Sequence, residues 1–148
     1  MTGPRAQDRA ADFEEFFERH HRELGRLAYV LTGDRAAAED LTADAFLAVW
    51  RQWRRVRDRN EPLAYVRRML LNMAASRVRQ RVRERKRDGQ VSTIVPVEAS
   101  ASDGAAVLDV RAALLELPVR RRACVALRYA LDLSEQDVAD LLGISVAP

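Results

Sequence analysis

The sequence predicts an all-α protein built from two small helical domains. Apolar residues recur at spacings of three and four along most of the 148-residue chain, as they do in amphipathic helices. Hydrophobic residues make up 48% of the chain but aromatic residues only 6%, which favours helices over sheets. Glycine, proline and serine gather in one stretch without helical periodicity. We therefore predict a first domain over 10–87, a flexible linker over 88–104 and a second domain over 105–148.

The first predicted helix spans Asp12–Leu31. Asp12 and Glu15 have the spacing of a capping pair at a helix start. Apolar side chains then follow at helical intervals until Gly33, which is the residue type that most often ends a helix. This helix supplies one side of the first domain's core.

The second predicted helix runs from Asp34 to Trp53. One face of it is apolar, and the opposite face carries the carboxylates Glu39, Asp40 and Asp44. A charged connection follows over 54–60.

Asn60 is predicted to cap a third helix, with Pro62 in the first turn, where a missing N–H costs little. This helix is expected to continue to Arg87. Its apolar stripe fades beyond Ser76, where seven basic residues stand against two acidic ones up to Asp88. Such a run is typical of a polyanion-binding surface, and equally of a solvated helix end.

The second domain is predicted to contain three helices. The first spans Val107–Leu117 and stops at Pro118; the next spans Val119–Tyr129. The last begins at Ser134, with Asp137 three residues later as its capping partner, and turns at Gly143. Val138, Leu141 and Leu142 form its apolar face. Because the three residues after Ser145 are too few for the second helix of a helix-turn-helix, we expect this face to lack a packing partner. Between the domains, Val91–Val97 has the composition of a short strand without an evident pairing partner.

Composition excludes several classes of function. The single cysteine, Cys124, permits no internal disulfide and lies among apolar residues, which favours a small core residue in a reducing, cytoplasmic compartment. We find neither a signal peptide nor a stretch long enough to span a membrane. His20 and His21 are adjacent and point in different directions on a helix, so no metal site is expected. With no phosphate-binding loop and no nucleophile motif, we predict no cofactor, no catalytic residue and no enzyme activity.

Two motifs resemble those of bacterial RNA polymerase sigma factors of the extracytoplasmic-function type. The segment AEDLTADAFLAVWRQW, Ala38–Trp53, is similar to the polymerase-binding helix of that family. The segment Leu117–Ser145 is similar to the start of its C-terminal promoter-binding domain, and Glu61–Arg83 to the helix that meets the −10 element. The resemblance extends over most of Asp12–Arg87 and Asp109–Ser145, and its arginine- and alanine-rich style is typical of actinobacterial members.

The resemblance implies that Ala38–Trp53 docks on the clamp helices of core RNA polymerase through Glu39, Asp40 and Asp44. Exposed carboxylates can pair with partner arginines in bidentate fashion. The alternative is an ordinary acidic face near a helix start, where the dipole favours acids. At this motif Ala43 stands where the family usually has glutamine.

The resemblance also implies a DNA interface on the third helix and the connection before it. Arginines would hold phosphates, and Asn72 would read a base edge, although an asparagine bonded within its own helix is the commoner case. The 54–60 connection corresponds to a loop that holds a flipped base, with Trp50, Trp53 and Tyr65 as stacking candidates beside a core role for the tryptophans. The DNA-binding candidates are Arg57, Arg59, Asn60, Arg67, Arg68, Asn72, Ser76, Arg77, Arg79 and Arg81. Arg120, Arg121 and Arg122 are further candidates for phosphates or the polymerase flap, or form a solvated helix start.

The sequence departs from the family at its end, where Val146, Ala147 and Pro148 replace the recognition helix that would read the −35 element. The leading hypothesis is a sigma factor that binds core polymerase and the −10 element of promoter DNA, with an anti-sigma factor as a further partner. The alternative is a truncated module that binds polymerase or an anti-sigma factor without reading the −35 element. A plain helix-turn-helix regulator is a third reading, which the polymerase-binding motif disfavours.

Overall fold

The computed structural model describes residues 5–89 and 104–147 of the chain. Within these ranges the backbone is helical and forms no strand, so the all-α prediction is confirmed. The predicted strand Val91–Val97 and most of the predicted linker lie outside the described residues. The elements are α1 (Arg5–Thr32), α2 (Arg35–Arg51), α3 (Trp53–Arg57), α4 (Pro62–Arg87), α5 (Ala105–Glu116), α6 (Val119–Val125), a π-helical turn (Ala126–Ala130) and α7 (Glu135–Leu142).

Helix α1 begins well before the predicted start at Asp12. The alanine-rich segment preceding Asp12 has high helix propensity and continues the helix back to Arg5. The predicted capping pair is therefore wrong, and Glu15 instead pairs with Arg19 at 2.9 Å, one turn further along. The predicted end at Gly33 is confirmed, since this residue has φ +69° and donates its N–H to Tyr29 O at 2.8 Å.

Helix α2 starts as predicted but ends before Trp53. The Asp34 carboxylate caps it by accepting the N–H of Ala36 at 3.1 Å. The helix breaks at Gln52, and a separate short helix, α3, follows. This break gives the described part of the chain seven α-helices instead of the predicted six, and it turns Trp53 and Val56 into the core, where they are 3% and 0% exposed.

Helix α4 has the predicted length, but Glu61 occupies the N-cap position predicted for Asn60. Pro62 is the first helical residue, as expected for a residue that has no main-chain N–H to donate. The helix continues to Arg87, and most side chains beyond Ser76 are exposed. This second half of α4 therefore projects from the core, as the fading apolar stripe indicates.

The second group of helices ends in two local motifs that the sequence predicted. The Ser134 hydroxyl accepts the N–H of Asp137 at 3.1 Å, and Gly143 adopts φ +65° at the end of α7. The π-helical turn is an addition to the prediction: Leu131 N–H reaches back five residues to Ala126 O at 3.1 Å.

One hydrophobic core runs through both groups of helices. Leu27 and Leu31 of α1 are completely buried in the same cluster as Leu127, Val138 and Leu141. The expectation that the apolar face of α7 lacks a packing partner is therefore wrong. The surfaces of α4, α6 and the π-helical turn supply that partner, because α7 packs against all three.

Candidate polymerase and DNA interface

The three predicted polymerase-binding carboxylates lie on the exposed side of α2, but their surroundings differ. Glu39 makes a long ion pair with Arg35 at 3.5 Å, and both side chains are more than 70% exposed. Asp44 pairs with Arg77 of α4. Asp40 is exposed and makes no ion pair within the described residues. Asp40 is therefore the carboxylate of this face most available to a partner.

Among the predicted DNA-binding residues, Arg67 is engaged inside the protein. Its Nε and Nη2 both donate to the Glu23 carboxylate of α1, with Nε at 3.2 Å from Oε2. The two side chains are only 14% and 21% exposed. This bidentate pair joins α1 to α4, and it places Arg67 among the structural residues instead of at a DNA surface.

A continuous exposed stripe follows one side of α4. Its residues are three or four positions apart, so they lie one above another on the helix surface. Arg68, at one end, donates Nη2–H to Asp140 O of α7 at 3.0 Å. Asn72 and Ser76 have open amide and hydroxyl groups, and Arg79 follows them. The stripe consists of Arg68, Asn72, Ser76, Arg79 and Arg83.

The basic second half of α4 has few internal partners for its arginines. Arg79 and Arg81 are exposed and make no ion pair within the described residues. Arg77 alone of this run, among the described residues, holds a carboxylate. The second half of α4 thus offers guanidinium groups without a carboxylate partner in the described structure, and Arg79 and Arg81, two positions apart, face different sides of the helix.

The connection between α3 and α4 places Arg59 over the Tyr65 ring, with its guanidinium carbon 3.8 Å from the ring centroid. Arg57 is drawn away to Asp12 of α1 at 2.9 Å and to Asp58 at 3.6 Å. Asn60 is exposed. Of the three connection residues predicted to bind a base, Arg59 is therefore the one that lies against an aromatic ring in the described structure.

The two tryptophans differ in their burial. Trp53 is 3% exposed, with its ring 5.5 Å from Phe13 and 5.2 Å from Phe16. Trp50 is half-buried beneath the Arg9 guanidinium, whose carbon lies 4.6 Å from the centroid of the Trp50 ring. Core packing is therefore confirmed for Trp53, whereas Trp50 and Tyr65 are both half-buried, each beneath an arginine.

The three consecutive arginines of α6 also separate. Arg120 donates to Leu142 O at 2.6 Å, and Arg121 is exposed. Arg122 is only 7% exposed and donates to main-chain oxygens of Leu31, Leu114, Leu115 and Leu117. Burial lowers the pKa of the Arg122 guanidinium from its usual value. The prediction that Arg122 contacts DNA phosphates or a polymerase flap is therefore wrong, because its guanidinium is buried and bonded to main-chain oxygens.

The remaining candidates for chemistry have structural surroundings. His20 lies against Phe16, with ring centroids 4.7 Å apart, while the His21 ring stacks on Phe17 at 4.9 Å. Burial lowers the pKa of His20, with the nearby Glu23 acting in the opposite direction. Cys124 is half-buried at the edge of the core, in the wall of an apolar groove. No group of three metal-ligating side chains occurs in the part of the chain that the structure describes.

Sequence reasoning missed the carboxylates that hold the arginines. Glu23 and Asp12 lie 44 and 45 residues from Arg67 and Arg57, so no local pattern connects them. The only signal was their position on the polar side of α1, which many solvated acidic residues share.

None of the described helices has the combination of length and apolar composition that a membrane span requires.

Comparison with known proteins agrees with this arrangement. Residues 16–84 match the family model for Sigma-70 region 2, and residues 108–147 match that for Sigma-70, region 4. The chain belongs to the sigma-70 family of RNA polymerase sigma factors. Within that family it is a factor of the extracytoplasmic-function type, as its motifs predicted. Sigma factors bind core RNA polymerase and direct transcription initiation at promoters.

Relatives of this type are similar over nearly the whole chain. The extracytoplasmic-function factor SigM of Mycobacterium tuberculosis is 29% identical over 140 residues, and the matched region covers 95% of this chain and 70% of the SigM chain. The sigma-E factor of Streptomyces coelicolor is 29% identical over 136 residues, and the matched region covers 90% of this chain and 75% of the sigma-E chain. The sigma factor RpoE of Bartonella quintana, solved in complex with the anti-sigma factor NepR, has a TM-score of 0.75 at 24% identity and covers 90% of this chain and 84% of its own. That similarity shows the shared fold.

Proposed function

We propose that this sigma factor docks on core RNA polymerase through the acidic face of α2, centred on Asp40, and engages the −10 element through the exposed stripe of α4. The observation that carries the proposal is the placement of these two surfaces on adjacent helices of one packed unit. A single rigid unit can then fix the DNA at a set position relative to the polymerase. This assigns the chain a binding and positioning role, without bond chemistry, in the cytoplasm, where polymerase acts.

Asp40 is the central docking residue in this proposal. Its carboxylate is exposed and has no internal ion pair within the described residues, so a partner arginine does not have to displace one. Glu39, one residue earlier, has only its long pair with Arg35 to lose. Exposed pairs of that kind contribute roughly 0–1 kcal/mol, so Glu39 can join the interface at small cost.

Asn72 and the neighbouring arginines of α4 divide the work on DNA. Phosphate contacts from Arg79 and Arg83, which lie on the same stripe as Asn72, supply affinity and orientation but carry no sequence information. Asn72 has an exposed amide that can accept and donate to one base edge. Arg68 adds to this surface once its hydrogen bond to Asp140 O is exchanged for DNA.

Tyr65 and Arg59 form the site proposed for an unstacked base. Base stacking on an aromatic ring contributes about 1–3 kcal/mol, which offsets part of the cost of unstacking it from the duplex. Arg59 now covers the Tyr65 ring at 3.8 Å, so a base would take its place or stack beyond it. Asn60, next to Arg59 in the chain, is exposed and offers an amide for hydrogen bonding.

The proposal is tested with purified chain and core polymerase at moderate salt. We expect the chain to co-migrate with core enzyme, Asp40→Arg to abolish the complex, and Glu18→Arg, on the exposed side of α1, to leave it unchanged. Equal binding by Asp40→Arg would contradict the assigned docking face. Promoter-dependent transcription then separates a working sigma factor from a module that only occupies polymerase, since the latter binds core enzyme but yields no transcript.

A further inference from the structure

The acidic face of α2 and the basic half of α4 are joined by one ion pair. Asp44 of α2 accepts a hydrogen bond from Nη2 of Arg77 of α4, across 33 residues of sequence. The Asp44 side chain is 56% exposed and that of Arg77 33%. A proposed polymerase contact and a proposed DNA contact therefore neutralise each other in the free chain.

This pair is particular to these two residues. Asp40, one turn earlier on the same face of α2, makes no ion pair within the described residues. Arg79 and Arg81 on α4 likewise hold no carboxylate there. Asp44 thus acts on one guanidinium of the basic run and leaves its neighbours available for phosphate.

We infer that Asp44 couples polymerase docking to DNA binding by controlling whether Arg77 is free to contact phosphate. The inference rests on the proposed function of the two surfaces. A carboxylate and a phosphate compete for the same guanidinium, and a basic group of the polymerase competes with Arg77 for Asp44. When polymerase takes Asp44, Arg77 is released to DNA. Asp44 is then a positioning residue for the DNA surface as well as a docking residue.

The coupling acts equally in both directions, because linked binding equilibria change each other by the same factor. Its size is limited by the strength of a half-exposed ion pair, which corresponds to at most about a fivefold change in affinity. One additional phosphate contact also changes the salt dependence, since each contact adds about 0.7–0.9 to the slope of log affinity against log salt. The salt slope is therefore a more specific readout than affinity alone.

The experiment measures binding of the full chain to a short DNA duplex of arbitrary sequence, by anisotropy over a series of salt concentrations. The variants are Asp44→Asn, Arg77→Gln, the double variant, and Asp40→Asn as the matched control. Asp40→Asn removes the same charge from the same face of α2 but has no arginine to release. The unaltered chain and Asp44→Asn are also titrated with the duplex in the presence of saturating core polymerase, whereas Asp40→Asn, a change in the proposed docking residue, serves as control for the free chain alone.

We expect Asp44→Asn to raise the DNA affinity of the free chain about two- to fivefold. We also expect it to steepen the slope of log affinity against log salt by about 0.7–0.9, the contribution of one phosphate contact. The effect should exceed that of Asp40→Asn, should vanish in the Arg77→Gln background, and should shrink when polymerase is bound. Equal effects of Asp44→Asn and Asp40→Asn, or an effect that persists without Arg77, would overturn the coupling. These results leave the proposed function intact, whereas failure of the unaltered chain to bind polymerase would refute that function directly.

Discussion

Arg122 of α6 donates a hydrogen bond from Nη1 to the main-chain oxygen of Leu31, 91 residues earlier, and so ties the second group of helices to the C-terminal end of α1. The same guanidinium donates to Leu114 O at 2.9 Å and to Leu117 O at 3.0 Å at the end of α5. It donates to main-chain carbonyls at the C-terminal ends of two helices, where the last carbonyls run short of N–H partners; the Leu114 carbonyl also accepts the N–H of Leu117 at 3.1 Å. A buried positive charge is satisfied here by oxygens at the negative ends of helix dipoles.

Replacement of Arg122 should destabilise the protein. We expect Arg122→Met to cost about 2–4 kcal/mol in the free energy of unfolding, because buried carbonyls lose their donors. Arg122→Lys should cost less, since it keeps the charge but loses the planar arrangement of donors. Urea denaturation measures both, with exposed Arg121→Met as the control, and equal stability of the two methionine variants would contradict the role assigned to Arg122.

Gly33 should not tolerate a side chain. Its φ of +69° is strained for other residues, and an added Cβ would lie 2.8 Å from Leu115 Cδ1. We expect Gly33→Ala to lower the free energy of unfolding by at least about 1 kcal/mol. Gly25→Ala is the matched control: Gly25 lies within α1 with open space around it, so this change should raise stability by up to about 1 kcal/mol. Similar thermal midpoints for the two variants would refute this assignment.

Arg67 should contribute to folding and not to DNA affinity. Arg67→Gln leaves the Glu23 carboxylate half-buried without its bidentate partner, and we expect a loss of about 1–3 kcal/mol in the free energy of unfolding. A double-variant cycle with Glu23→Gln should show that the two losses are not additive. Additive losses, or a reduced salt slope of DNA binding in Arg67→Gln at full stability, would return Arg67 to the DNA surface.

Arg79 should behave in the opposite way. It is exposed on α4 without an ion pair in the described structure, so Arg79→Gln should change stability by less than about 0.5 kcal/mol. Loss of one phosphate contact should reduce the salt slope of DNA binding by about 0.7–0.9. Anisotropy titrations over a salt series check this, and an unchanged slope would remove Arg79 from the interface.

His20 should make stability depend on pH on the acid side. Burial lowers its pKa in the folded chain, so below about 6.5, the usual value, the unfolded chain binds more protons than the folded one. Stability is then fully present above that pH and falls as the pH drops through the window between the two pKa values. We expect His20→Gln to flatten this part of the profile in urea denaturation from pH 7.5 to 5, measured relative to the unaltered chain; an identical pH profile would refute the prediction.

Local patterns in the sequence predicted much of this protein correctly. The cap at Ser134, the helix start near Asp34 and the turns at Gly33 and Gly143 depend on side chains and dihedral angles within a few residues, so a short stretch contains the information. The sigma-factor resemblance rested on motif order and spacing, and the family matches confirmed it. The wrong predictions at Asp12 and Asn60 were also local, because several adjacent polar residues could serve as caps.

The sequence by itself determined the helical class, the acidic face of α2 and the basic half of α4, since each follows from residue spacing along one helix. Only the tertiary structure decided which arginine side chains are exposed and free to contact DNA. Arg67 and Arg122 are chemically the same as Arg79, yet the first two meet Glu23 and Leu31 O from α1, while Arg79 faces outward. Those partners lie 44 and 91 residues away, and they meet because α1 packs against both α4 and α6 in one core.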